Sequence, residues 1–281
     1  MALQNGEALP VATVETQLTY LGARISPWAG MAIEGLYEQF TRTIHRVSHL
    51  AVKPHQKVEL ITTYLVPHYL YRLVLAVPPQ KLIRQLDQEL KAVIKSIYHL
   101  PQSTSDGLLY CGKKDGGLGI PKLETVIVSS SLKAGIRFLA SSDPAMIALA
   151  EEETGLKIRL EKLCSQNNIE WPLTRTKDVD KWKLGVKQRH LKRWSSQRSH
   201  GKSVQSLTDD KTANAWLYNK KLLKPSNFIT ALKMRVNVTA DKVTLNRARQ
   251  QADLKCRKCK VQIETLGHIL GQYQGSENPS P

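Results

Sequence analysis

Apolar residues recur along most of this chain with the three-to-four-residue spacing that gathers them on one side of an α-helix. Ile33, Leu36, Tyr37, Phe40, Ile44 and Val47 form the first such stripe. Lys53-Pro54 opens a second, the proline sitting in a first turn where its missing N–H is not needed, and Val58, Ile61 and Leu65 continue it until Pro67 bends or interrupts it. A third starts after Pro78-Pro79, carries Leu82, Leu86, Leu90, Val93, Ile94 and Ile97 on its buried face, and stops at Pro101. Further helices are predicted over 123–139, 144–164, 179–194, 225–236 and 241–251. The start departs from this period. Residues 13–27 are extended and turn-punctuated, with Leu18, Tyr20 and Ile25 as strand positions and Gly22 where a bend is easy. The predicted fold is therefore mainly α: a helical bundle after a short N-terminal β hairpin, then a basic helical stretch and a small cysteine-histidine unit.

Between the helices, residues 115–121 read Asp-Gly-Gly-Leu-Gly-Ile-Pro. The glycines fit neither Gly-x-Gly-x-x-Gly nor a Walker loop, and no Lys-Ser or Lys-Thr closes them, so a tight turn is expected rather than a phosphate cradle. The acidic run Glu151-Glu152-Glu153 reads as a solvated helix face. Asp209-Asp210 stands where a helix start needs a cap. The stretch from Ser195 to Ser206 reads as a mobile loop.

Charge changes the picture. The chain has 281 residues, 41 Lys+Arg and 24 Asp+Glu. Residues 175–260 hold 23 of those cations and 6 of those anions, a net +17 that equals the charge of the whole chain. A solubility surface would not confine the whole excess to under a third of the chain, whereas a polyanion-binding segment would. The positions expected to meet phosphate are Lys187, Arg189, Lys192 and Arg193, then Lys220, Lys221 and Lys224, then Lys233, Arg235, Arg247 and Arg249, with Arg257 and Lys258 beyond. Trp182, Trp194 and Trp216 interleave with them; such aromatics stack on bases or, more often, fill a core. His190 and His200 carry no partner signal.

No window reaches the run of about eighteen uncharged apolar residues that crosses a bilayer, and no basic start followed by an apolar stretch opens the chain. No membrane partner and an intracellular location are expected. Cys111 and Cys164 stand alone as small hydrophobes, while Cys256 and Cys259 are paired at metal-ligand spacing, with His268 following. Tyr273 occupies the place of a fourth ligand, and Tyr is a poor one for zinc. Zinc is thus the expected cofactor, held weakly or not at all.

Several stretches occur together and in order: Tyr20-Leu21-Gly22, Lys53-Pro54-His55-Gln56-Lys57, Tyr64-Leu65-Val66-Pro67, Gly116-Gly117-Leu118-Gly119-Ile120, Trp216-Leu217 and Glu264-Thr265-Leu266-Gly267-His268-Ile269-Leu270. In that order they resemble the C-terminal half of the polyprotein of non-LTR retrotransposons that carry a restriction-like endonuclease, the group that inserts into ribosomal RNA genes. The resemblance implies that residues 1–30 end a reverse transcriptase palm, 31–101 form its helical thumb and 102–174 a helical connection. It further implies a basic linker at 175–251 that holds RNA and DNA, a degenerate CCHC-type zinc knuckle at 252–274 with ligands Cys256, Cys259 and His268, and a disordered tail at 275–281.

A nuclear location follows from the same resemblance. So does an absence. Polymerisation needs paired carboxylates holding two metal ions; the family's Asp pair lies upstream of the Tyr-Leu-Gly hairpin, and this chain has no aspartate before Asp87. The family's endonuclease cluster follows the knuckle, where only Glu277 remains. The expectation is a nucleic-acid-binding fragment that is no enzyme as it stands. Two alternatives remain open: one part of an active RNA-directed DNA polymerase completed by a palm from elsewhere in the polyprotein, or a helical protein–protein scaffold.

Overall fold

The computed structural model describes residues 13–20, 23–26, 30–76, 78–152 and 154–271. Three short strands, β1 (Leu18–Tyr20), β2 (Ala23–Ser26) and β3 (Gly30–Met31), pair antiparallel in that order, with Leu18 opposite Ile25 and Ser26 opposite Gly30. The expected hairpin is present, and a third strand extends it; Gly22, the expected bend, lies outside the described residues. Helices follow as α1 (Leu36–Ser48), α2 (Pro54–Leu60), a π-helical turn (Ile61–Leu65), α3 (Val66–Ala76), α4 (Gln80–Ile97), α5 (Asp106–Tyr110), α6 (Leu123–Leu139), α7 (Pro144–Glu152) and α8 (Thr154–Gln166). The rest are α9 (Thr176–Ser195), α10 (Val204–Leu207), α11 (Lys211–Tyr218), α12 (Pro225–Arg235), α13 (Lys242–Arg247) and α14 (Leu266–Leu270). The mainly α class holds. Pro67 does not break its helix: the wide turn at 61–65 just before it accommodates a ring that has no N–H to give and would crowd the carbonyl four residues back.

The chain folds into two compact units of interleaved segments. The first takes residues 1–50, 59–90 and 121–184. Leu36, Phe40 and Ile44 of α1 are fully buried, and Phe40 meets Tyr69 edge-on at 5.2 Å. Val128, Leu132 and Ile136 of α6 pack with Leu160 and Cys164 of α8 and Val179 of α9, and Trp182 leans on the same cluster. A buried carboxylate organises the start of α6: Asp87 of α4 accepts from the N–H groups of Leu123 at 2.9 Å and Glu124 at 3.3 Å. Those are donors a helix cannot satisfy itself. Burial pushes the Asp87 carboxyl above its ordinary pKa, against the pull of these bonds.

The second unit takes residues 51–58, 91–120 and 185–281. Its centre is Trp194, 1% exposed, whose indole N–H donates to the His200 carbonyl at 2.9 Å. The 195–206 segment is accordingly a folded turn around that ring. A Cβ on Gly201 would stand 2.1 Å from the Trp194 carbonyl, so only glycine fits there. His200, which offered no partner signal, accepts from the Ser105 N–H at 3.2 Å. The buried Lys95 ammonium donates to the carbonyls of Gln102 and Thr104 and to the Asp106 carboxylate.

Candidate metal centre and nucleic-acid interface

The cysteine pair sits on a narrow hairpin-like turn. Lys255 and Ile263 bridge antiparallel, the Cys256 N–H donates to the Gln262 carbonyl at 2.7 Å, and the Lys260 N–H returns to the Cys256 carbonyl at 2.9 Å. Thr265 then caps α14, its hydroxyl accepting from the His268 N–H at 3.1 Å, which fixes the start of the helix that carries the imidazole. The ligand atoms of Cys256, Cys259 and His268 all lie within 4.8 Å of one another. Cys259 Sγ and His268 Nε2 are 3.4 Å apart, against the roughly 3.5 Å edge of a zinc tetrahedron built from S and N donors. The Gln262 and Val261 N–H groups, then His268 and Cys256, bring the Cys259 thiol down to about 7. A thiolate near neutrality is what a soft divalent cation binds. These residues fit a metal ion. Tyr273 lies outside the described residues.

Glu264 was not singled out from the sequence as a functional residue, and it organises this site. It is 3% exposed, and its carboxylate accepts from the Arg257 N–H at 2.7 Å, the Lys242 N–H at 3.1 Å and the Arg257 guanidinium at 3.1 Å. Its position within Glu-Thr-Leu-Gly-His was visible, but the donors arrive from residues 7 and 22 positions away.

All thirteen cations expected to meet phosphate belong to the second unit. Arg189, Lys192 and Arg193 are exposed on α9, and their i, i+3, i+4 spacing puts them on one face, away from the buried Trp194. Lys187 is exposed near Asp115. Lys220 and Lys221 follow α11, and Lys224 precedes α12 at its N-cap. Lys233 is half-buried on α12; Arg247 ends α13, donating to the Ser199 hydroxyl at 3.1 Å, and Arg249 lies exposed just beyond. Lys258 is exposed between the two cysteines. Arg257 is exposed too, but its guanidinium is engaged by Glu264 and by the Ala240 carbonyl at 2.7 Å.

Arg235 stands apart. It is 8% exposed, its guanidinium donates to Asn214 Oδ1 at 2.7 Å and to the Ala213 carbonyl at 3.1 Å, and it lies 5.4 Å from the Trp216 ring centre. The expectation of a phosphate contact there is set aside: the side chain faces inward, and its charge serves the fold. Gly116, with φ of +82°, leaves the space that this guanidinium fills, since a Cβ would stand 2.3 Å from Arg235 Nη1. The glycine-rich turn and the Trp216-Leu217 motif therefore meet in one structural node, and the turn is no phosphate cradle. Trp216 packs edge-on against Phe228 at 5.1 Å, so it, Trp194 and Trp182 all take the core role.

A helical chain with a basic unit and a Cys/Cys/His turn has relatives among known proteins, though no protein-family model matches it. Among them are retrotransposon Pol polyproteins. Over 235 residues, 82% of this chain and 21% of the relative, it is 23% identical to the Pol polyprotein of a type-1 R2 retrotransposable element from Nasonia vitripennis. A Popillia japonica R2 Pol polyprotein is 23% identical over 271 residues, 95% of this chain and 52% of the relative. That of a Drosophila melanogaster type-2 element is 23% identical over 233 residues, 81% of this chain and 21% of the relative. The chain thus spans between about a fifth and about half the length of these curated relatives. It is similar to a fragment of the polyprotein of non-LTR R2 retrotransposons, as its ordered motifs implied.

Proposed function

We propose that the chain is a nucleic-acid-binding segment of a retroelement Pol polyprotein, gripping RNA and DNA through its second unit. The observation that carries this reading is the confinement of the entire net charge of +17 to residues 175–260. Twelve of the thirteen candidate cations are exposed or half-buried there, which supports phosphate contact. Cys256, Cys259 and His268 are the residues that hold zinc, weakly for want of a fourth thiolate, and the ion orders the turn that presents Lys258.

The chain does no polymerisation or cleavage by itself. Asp87 is committed to the start of α6, and Asp210 caps α11 by accepting from the Ala213 N–H at 2.9 Å. Neither is available to hold catalytic metal ions. The rest of the polyprotein supplies chemistry and is a partner, and the setting is intracellular and nuclear. Among the described residues no helix is long and apolar enough to cross a membrane.

Fluorescence anisotropy with labelled single-stranded RNA and duplex DNA tests the reading. Binding at low salt that weakens steeply as salt rises is expected, because phosphate contacts release counterions. Absence of binding at low salt, or binding indifferent to salt, refutes it. Primer extension by the purified chain is expected to yield no product.

A further inference from the structure

Three segments distant in sequence converge on one carboxylate. Glu264 receives the Arg257 N–H from the turn between the two cysteines and the Lys242 N–H from the first turn of α13, and it lies four residues before His268 on the segment that carries the third metal ligand. Its backbone adds two further ties: its N–H donates to the Leu254 carbonyl at 2.9 Å and its carbonyl accepts from the Val243 N–H at 3.3 Å. The Arg257 guanidinium closes the loop, reaching both Glu264 and Ala240, two residues before α13. A carboxylate this deeply buried is stable only while its donors stay in place, since an unpaired buried charge is heavily penalised. The positions of the ligand turn and of α13 are therefore linked.

We propose that Glu264 is a positioning residue that couples metal occupancy at Cys256, Cys259 and His268 to the ordering of α13, with Arg247 at its end and Arg249 just beyond. This rests on the metal assignment made above and extends it to regulation of the basic surface. Metal binding fixes the cysteine turn and the segment leading to His268, and hence the Arg257 N–H and the Glu264 carboxylate. That in turn holds the Lys242 and Val243 N–H groups, which α13 cannot satisfy by itself. Coupling of this kind is reciprocal: whatever holds α13 in place raises affinity for the metal.

The test uses the full chain, zinc-loaded and chelator-stripped, as wild type, Glu264→Gln and Glu264→Ala. Hydrogen exchange is followed over residues 242–247, and zinc affinity is measured by competition with a chromophoric chelator. In the wild type, zinc is expected to slow exchange over 242–247. In Glu264→Ala that zinc-dependent slowing is lost, and zinc binds about 10–100-fold more weakly, as for other groups that orient metal ligands. Glu264→Gln keeps the shape and one acceptor, and is expected to fall between the two; it carries the test if the alanine variant does not fold. A chain that takes up no zinc overturns the proposal. So does a ratio of zinc-free to zinc-loaded exchange rates that is the same in Glu264→Gln as in the wild type, because a residue that merely stabilises the unit leaves that ratio unchanged. Neither readout uses nucleic acid. Failure to bind RNA or DNA with this coupling intact would count against the proposed function and leave the coupling standing.

Discussion

Replacing Arg235 with methionine separates a cation that builds the fold from one that meets phosphate. Methionine keeps the apolar stem of the side chain and removes the guanidinium with its donors. The Ala213 carbonyl keeps a partner, since the Trp216 indole N–H donates to it at 2.9 Å. Asn214 Oδ1 loses the guanidinium donor. Leaving a buried acceptor unsatisfied costs about 1–3 kcal/mol, and the lost cation–π contact with Trp216 about 0.5–2 kcal/mol, part of which a thioether against the ring recovers. A net loss of about 2–3 kcal/mol follows, which at this chain length lowers Tm by roughly 3–5 °C. Thermal unfolding followed by circular dichroism reads the shift, and anisotropy with labelled RNA measures binding in parallel at a temperature where the variant is folded. The salt dependence of binding is expected to stay at the wild-type value. An unchanged Tm together with a shallower salt dependence would refute the reasoning and return Arg235 to the binding surface.

Gly116→Ala forces a side chain into a left-handed residue and against Arg235 Nη1; it is expected to cost roughly 2–4 kcal/mol. Combined with Arg235→Met it should cost at least about 1 kcal/mol less than the sum of the two, because the clash is gone; strict additivity in denaturant melts would contradict the node described above. Asp106 supplies the pH dependence. Burial alone would raise its carboxyl, but the hydrogen bonds and charges of Lys91 and Lys95 outweigh burial and hold it below the ordinary value. A depressed folded pKa contributes stability that is present above the unfolded value and lost as pH falls through the folded one. Wild type should therefore lose this stability on acidification below about pH 4, and Asp106→Asn, less stable at neutral pH, should show a flatter acid limb in denaturant titrations.

Much of this architecture was readable because it is local. The stripe from Leu123 to Leu139 gave α6 its observed ends, since alternation of apolar and polar faces needs no knowledge of partners. Asp210 was readable as a cap for the same reason: it acts on the N–H of Ala213, three residues on. The 144–164 stretch is helical on both sides of residue 153, over α7 and α8, as its apolar spacing predicts. Other features depend on distant contacts. Asp87 caps α6 from 36 residues away, Arg235 is drawn inward by Asn214 at 21 residues, and Glu264 holds α13 at 22. Composition treats Arg235 like its exposed neighbours. The 195–206 segment is rich in Ser and reads as a loop, yet it folds around Trp194, whose burial no local pattern reveals.

The central claim is that the basic unit binds phosphate backbones, and the exposed face of α9 tests it most directly. Arg189, Lys192 and Arg193 are changed together to alanine, which leaves the buried Trp194 untouched. The slope of log affinity against log salt is then measured for single-stranded RNA and duplex DNA. Each lost phosphate contact removes about 0.7 from the slope on a single strand and about 0.9 on a duplex, so three contacts predict a slope shallower by roughly 2–3 with the thermal melt unchanged. A slope identical to that of the wild type on both nucleic acids would contradict the account.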